Sequence, residues 1–247
     1  MNARTLIPFI TGSAYNYADG EIWPEWRHHT LRLVAWRLAM ACGFRSRIKA
    51  RKLGKVWPRV APTMIGELRA LNIVQMIEKL DDDNVHGSLV DCGVWRGGST
   101  MLMAAASPNR QVYCCDTFEG FPKEDAAKEN VPCPKALVVS STEVLLNFEK
   151  YGVPVNRVCF VRGKVQNTLC DIPKPVALIR IDVDMADPVH ACLSQLWPKL
   201  SSGGWVIVDD YGCKYYRCRE AVDSFRNING GGPIHWIDEE GICYQKQ

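Results

Sequence analysis

No apolar run in this 247-residue chain approaches the ~18–20 residues that a membrane span needs. The first twenty residues, MNARTLIPFITGSAYNYADG, have only a short apolar stretch and no small-residue cleavage pattern behind it, so they do not read as a signal peptide. The G-x-G-x-x-G spacing of dinucleotide sites is missing, and so is any C-x-x-C pair. The eleven cysteines are an odd number and lie scattered, several of them (Cys92, Cys114, Cys115, Cys159) in apolar runs. They read as reduced small hydrophobes of a cytoplasmic protein rather than as a disulfide framework or a zinc site. Acids are absent from Arg27–Arg59, which holds ten Lys and Arg, although the whole chain is only +3. The remainder is therefore net acidic.

At 47% hydrophobic and 23% charged, the chain has material for one large core. The most informative stretch is Ser88–Ala106, SLVDCGVWRGGSTMLMAAA. An apolar run passes Asp91, enters a turn at Gly93, Gly97 and Gly98, and resumes as a helix that Ser99 or Thr100 could cap. Strand, glycine turn and helix together cradle an anionic or nucleotide-like ligand, because glycine lets the backbone approach and free N–H groups attract negative charge. A second run, Gln111–Cys115, ends in Asp116, 25 residues after Asp91. An acid there is placed to hold a ribose diol. The two features read as a site for an adenosyl ligand with a carboxylate tail, which suits S-adenosylmethionine (SAM). Ordinary turn chemistry is the alternative for the glycines.

Further strands are expected at 157–161, Val176–Ile181 and 205–208, with a closing antiparallel hairpin at 234–237 and 242–245 around DEEG. Helices are expected at 63–86 with Thr63 as cap, at 142–151, at 190–200 ended by Gly203-Gly204, and at 219–226. On the first of these, Ile65, Leu68, Leu71, Ile73, Val74 and Ile77 are expected to face inward. Strands alternating with helices imply an α/β fold, Rossmann-like, with a mostly parallel sheet covered on both faces. Residues 1–58 are expected to form a basic helical extension, with a helix from Trp26 to about Lys52, and 59–247 the main domain. The basic face suits solvent, an anionic membrane surface or phosphate-bearing partners; no nucleic-acid motif accompanies it, so no nucleic acid is expected. The helix offers a surface for homo-oligomer association.

The fourth and fifth strands end in acids: Asp182, with Asp184 two residues on, and Asp209-Asp210. Parallel strands put these ends on the edge where the glycine turn and Asp116 lie. Carboxylates gathered there repel unless a cation sits among them, and hard oxygen ligands favour Mg²⁺. A divalent cation beside a carboxylate would activate a hydroxyl for methyl transfer. Strand-end turns are the plain alternative. His190 and His235 read as structural, and Trp205 and Tyr211 as packing.

The strings TMIGELRALN, VDCGVWRGGST, CCDTFEGFP, IRIDVD, GGWVIVDDYG and CREAVDSFR resemble, in order, the macrocin O-methyltransferase family from about Pro62 to the C-terminus. These are SAM- and Mg²⁺-dependent sugar O-methyltransferases. The resemblance implies that Asp182, Asp209 and Asp210 hold the metal and that Asp182 is also the general base. It implies that Asp116 holds the ribose, with Thr117 and Phe118 beside it. Asp91, Gly93, Val94, Trp95, Gly98 and Ser99 would form the SAM turn, and Thr63-Met64 would close over it. The family's D-G-D-L-Y-E-S is DVDMADP here, and Asn167 stands where an acid is usual. The first departure abuts the acceptor side and the second bears on an outer contact, so the acceptor stays open: a glycoside, natural product or glycan sugar, or a phenolic or other small hydroxyl compound. A SAM-binding protein without turnover is the reading from another class.

Overall fold

The computed structural model describes residues 2–11, 63–129 and 137–247. The expected helix from Trp26 to about Lys52 and most of the basic extension lie outside the described residues.

Seven strands form one sheet: β1 (Ser88–Cys92), β2 (Val112–Asp116), β3 (Val158–Arg162), β4 (Val176–Ile181), β5 (Leu200–Val208), β6 (His235–Trp236) and β7 (Ile242–Gln245). Their order is β3-β2-β1-β4-β5-β7-β6. The first five are parallel; β7 runs antiparallel to β5, and β6 antiparallel to β7. The chain starts in the middle at β1, moves outward through β2 and β3, then returns to β4 on the other side of β1. Ligands in open α/β sheets sit at the carboxyl ends of the strands where this reversal occurs.

Two-residue alternation divides the core. Leu89, Val112, Cys114, Leu178 and Ile207 face one layer, formed with α1 (Ala3–Ile10), α2 (Glu67–Asp82), α3 (Gly98–Ala106) and, beyond the short α4 (Lys123–Lys128), α5 (Ser141–Tyr151). Val90, Cys92, Cys115, Ile179, Ile181 and Val206 face the other, with α6 (Val165–Thr168), α7 (Ala186–Leu196) and α8 (Cys218–Asn229). All six residues of β4 are buried, as expected of a central strand covered on both faces. Each such Leu or Ile contributes about 1.5–3 kcal/mol on burial.

Local chemistry sets the helix ends. On α5, the Ser140 side chain accepts from the Glu143 N–H at 3.2 Å, and Gly152 closes the helix with a left-handed φ of +64°. α2 buries Ala70, Ile73, Val74, Ile77 and Leu80, one stripe at helical spacing.

Several local expectations are corrected. α2 starts at Glu67 with Gly66 as its cap, so Thr63 caps nothing; its hydroxyl accepts from Ile65 N–H at 3.3 Å. Leu68 points outward, 62% exposed. Gly203-Gly204 lie inside β5 rather than at the end of a helix, and α7 stops at Leu196, followed by a short turn of 3₁₀ helix. The first residues form α1, for which no helix was expected: Ala3, Leu6, Ile7 and Ile10 are buried at helical spacing, and Asn2 caps them through the Arg4 N–H. The nine described cysteines are all free thiols. Among the described residues no helix is long and apolar enough to cross a membrane.

Candidate active site

The turn after β1 must pass very close to the end of β4. Gly93 has φ +86°, and a Cβ there would lie 1.7 Å from the Asp182 carbonyl oxygen. Only glycine meets both demands. Its N–H donates to Cys115 O at 2.9 Å, which locks the turn to β2. Gly97, at φ +87°, opens α3 under the side chain of Val144. Trp95 itself has φ +48°, a strained value for a non-glycine residue.

Asp116 ties this turn down. Its Oδ2 accepts from Val94 N–H at 2.8 Å and Trp95 N–H at 3.1 Å, and its Oδ1 accepts from Phe118 N–H at 2.8 Å. Two N–H groups of the glycine turn are thus engaged by the acid of the next strand. Phe118, at φ +57°, turns its ring onto Phe160, with centroids 5.9 Å apart.

A cavity of about 640 Å³ opens beside these groups. Met64, Gly93, Trp95, Asp116 and Thr117 of the expected cofactor residues line it. Thr63, Asp91, Val94, Gly98, Ser99 and Phe118 are buried and are not among its lining residues. Asp91 is fully buried: its Oδ2 accepts from Ser99 Oγ at 2.7 Å and Thr100 Oγ1 at 2.6 Å, and its Oδ1 from Arg180 Nη1 at 2.8 Å. Ser99 and Thr100 therefore clamp α3 to β1 instead of capping it, and the cap is Gly97. The far wall includes Asp125, Lys164, Val165 and Gln166. Gln166 Nε2 donates to Asp125 at 2.9 Å, while its buried Oε1 has no partner.

At the opposite end of the cavity lie Asp182, Asp184, Asp209 and Asp210, with Asp238, Glu239 and Glu240 from the loop between β6 and β7. All four aspartates follow β4 or β5, as their place after the strands implied. Asp182, Asp184 and Asp210 each offer a carboxylate oxygen within 4.8 Å of the others. Asp209, expected with Asp182 and Asp210, is turned toward Arg180 Nη2 and lies 4.0 Å from Arg69 Nη1. Its Oδ1, like Oδ2 of Asp210, is buried without a partner. Asp184 sits at φ +58°, a strained backbone at a functional edge.

Among the described residues the charges at this end do not balance. Burial pushes the Asp182 carboxyl up to about 6, with Arg180 pulling it down and Asp209 pushing it further up. Burial, then Asp184, Asp182 and Asp209, hold Asp210 well above the usual carboxylate range. A divalent cation answers both the converging oxygens and the surplus negative charge, so the residues present fit one.

Sequence reasoning missed Arg180 and Arg69. Arg180 is 1% exposed in the middle of an otherwise apolar strand. That position was the available signal, because a buried guanidinium must find carboxylates. Arg69 donates from Nε to Asp238 at 2.6 Å and fastens the hairpin loop against α2. No signal along the chain links those two residues. His190 and His235 do not line the cavity, and Tyr211 is buried, its hydroxyl donating to Asp223 at 2.7 Å.

Comparison with known proteins places this geometry. The model of the family described as Macrocin-O-methyltransferase (TylF) matches residues 5–246, reaching further toward the N-terminus than the motifs do. A relative from Streptomyces olivaceus, 8-demethyl-8-(2,3-dimethoxy-alpha-L-rhamnosyl)-tetracenomycin-C 4'-O-methyltransferase, is 37% identical over 209 residues, 79% of each chain. Demethyldecarbamoylnovobiocin O-methyltransferase from Streptomyces niveus is 36% identical over 214 residues, 81% of each chain. Among solved structures, the O-methyltransferase NovP superposes with a TM-score of 0.75 and 31% identity, over 99% of this chain and 98% of that one.

Proposed function

The chain belongs to the macrocin O-methyltransferase family, and from that premise we propose that it transfers the methyl group of SAM to a sugar hydroxyl of a glycoside, natural product or glycan. It is an O-methyltransferase with a Rossmann-like fold. One observation carries the reading: a single cavity has a glycine turn pinned by Asp116 at one end and a cluster of under-satisfied acids at the other. The relatives named above are O-methyltransferases of a rhamnosyl tetracenomycin and of a novobiocin precursor, which supports a sugar on a small molecule as acceptor.

SAM, when bound, supplies the methyl group as a sulfonium. Asp116, at the carboxyl end of β2, is placed to receive the ribose hydroxyls, with Met64, Gly93, Trp95 and Thr117 around the ligand. Thr63, Asp91, Val94, Gly98, Ser99 and Phe118 hold those groups from behind. Gln166 adds an unpartnered acceptor on the far wall, suited to an amine. Asp182, Asp184 and Asp210 would hold Mg²⁺, which lowers the pKa of a coordinated hydroxyl. Asp182, half-buried at the tip of β4, would take the acceptor's proton as general base. Asp209 would keep Arg180 and Arg69 in place beside them. The work of the protein is to place acceptor and donor in line. Contact of Arg27–Arg59 with an anionic membrane surface, and association into a homo-oligomer, are supported by charge and amphipathic pattern alone.

The test is calorimetry of SAM binding with and without Mg²⁺ for wild type and Asp116→Ala, with a methyl-transfer screen over glycosides and phenols. The variant is expected to lose roughly 10–100-fold in SAM affinity, the worth of a charged hydrogen-bonding group. Magnesium-dependent turnover is expected on a glycoside. Turnover on phenols alone would replace the sugar reading, and SAM binding with no turnover on any acceptor would replace the enzymatic one.

A further inference from the structure

Arg180 does not line the cavity, yet it touches Asp91 and Ser99 beneath the glycine turn and the lining acids Asp182 and Asp209. On the turn side, Nη1 donates to Asp91 Oδ1 at 2.8 Å and to Ser99 Oγ at 3.1 Å, and lies 3.5 Å from Gly93 O. On the acid side, Nη2 donates to Asp182 Oδ2 at 2.6 Å and to Asp209. Its register partner across β1 is Asp91 itself. One buried guanidinium is thus divided between the turn that receives the cofactor and two of the acids that follow β4 and β5.

We propose that Arg180 is a positioning residue that couples the two ends of the site, so that filling the glycine turn orders the acids for a divalent cation. This rests on the reading of the turn as a cofactor site and of the acids as a magnesium site. The guanidinium is planar, and its two terminal nitrogens are fixed relative to one another. A ligand that stills Gly93 and the start of α3 also stills Asp91 and Ser99, and through them the plane of Arg180. Nη2 then holds Asp182 and Asp209 in a single arrangement. Less ordering is left for the cation to bring about, so it binds more tightly. Arg180 touches neither ligand in this account and acts only through the carboxylates. Lysine at this position would keep the charge but not the fork.

The experiment is magnesium titration calorimetry on the full chain, with and without saturating S-adenosylhomocysteine. That ligand lacks the sulfonium charge, so direct repulsion between two cations does not enter. In wild type, S-adenosylhomocysteine is expected to tighten magnesium binding at least about fivefold. Arg180→Lys is expected to weaken magnesium roughly tenfold and to shrink the coupling below about twofold. Ser99→Ala guards against a variant that fails to fold. It removes one partner of Nη1, leaves every acid in place, and is expected to shrink the coupling in the same way. A wild type whose magnesium affinity ignores S-adenosylhomocysteine overturns the proposal. So does a folded Arg180→Lys or Ser99→Ala protein that keeps the wild-type coupling. Failure of S-adenosylhomocysteine to bind at all would instead overturn the cofactor reading, and this proposal with it. Failure of magnesium to bind would do the same to the metal reading.

Discussion

The two ends of the cavity are assembled by different forces. At the turn, backbone geometry does the work: Gly93 and Gly97 take left-handed conformations, and both oxygens of Asp116 are engaged by N–H groups of its own chain. That end is complete without a ligand. One and two strands along the sheet, after β4 and β5, the carboxylates of Asp182, Asp184, Asp209 and Asp210 outnumber the guanidinium groups that face them among the described residues, where buried oxygens of Asp209 and Asp210 have no partner. That end is complete only with added positive charge. A preformed cradle and an unfinished charge cluster thus meet along one edge of the sheet. The first takes its shape from sterics, and the second responds to cation and proton.

Gly93→Ala would break the distinction most severely, because Gly93 serves both ends. The new Cβ overlaps the Asp182 carbonyl and requires a strained φ. A loss of roughly 3 kcal/mol or more is expected in urea unfolding. A loss below about 1 kcal/mol would show that the turn and the β4 end can separate freely, against the close packing described.

Asp210→Asn isolates the acid end. Magnesium affinity is expected to fall by more than the ~10–100-fold that loss of an outer partner costs. The metal-free protein should unfold at an unchanged or higher temperature, because one of several repelling buried acids has become neutral. A clear loss of metal-free stability would mean that Asp210 has a structural partner, and the contrast with Asp116 would fail.

The smallest effect is on pH. The folded state holds the Asp182 proton up to about pH 6, above the ordinary range of an unfolded aspartate. Its contribution is therefore present in acid and lost as pH rises through about 6. Metal-free protein should melt about 2–3 °C lower at pH 7.5 than at pH 5.5, just under about 1 kcal/mol in stability. Saturating Mg²⁺ binds the ionised acids and should shrink or reverse that difference. Equal pH dependence with and without Mg²⁺ would detach Asp182 from the cation site.

Legibility followed the same division. Val176–Ile181 is read as a strand with its observed bounds, because an apolar run with one interruption, Arg180, between polar flanks has one reasonable reading. Gly93 and Asp116 were legible because glycine spacing and a strand-end acid are local signals. Asp91 was seen as a site residue but not as a buried anchor, since that role depends on Arg180 of a strand 89 residues away. Periodicity assigns Leu68 inward, yet it lies on the cavity wall where no described element covers it. The choice of Asp184 rather than Asp209 to face Asp182 and Asp210 was beyond reach for the same reason. Asp209 is drawn to Arg180 and lies near Arg69, contacts made only through space.

By itself, then, the amino-acid order determined the alternation of strands and helices, the glycine turn and the acids at the strand ends. Each of these is dictated by neighbours a few residues apart, through backbone sterics and hydrophobic period. Tertiary structure alone decided which carboxylates are neutralised by Arg180 and Arg69 and which are left facing one another. Electrostatic pairing depends on distance in space, and the sheet brings together charges that the chain keeps far apart.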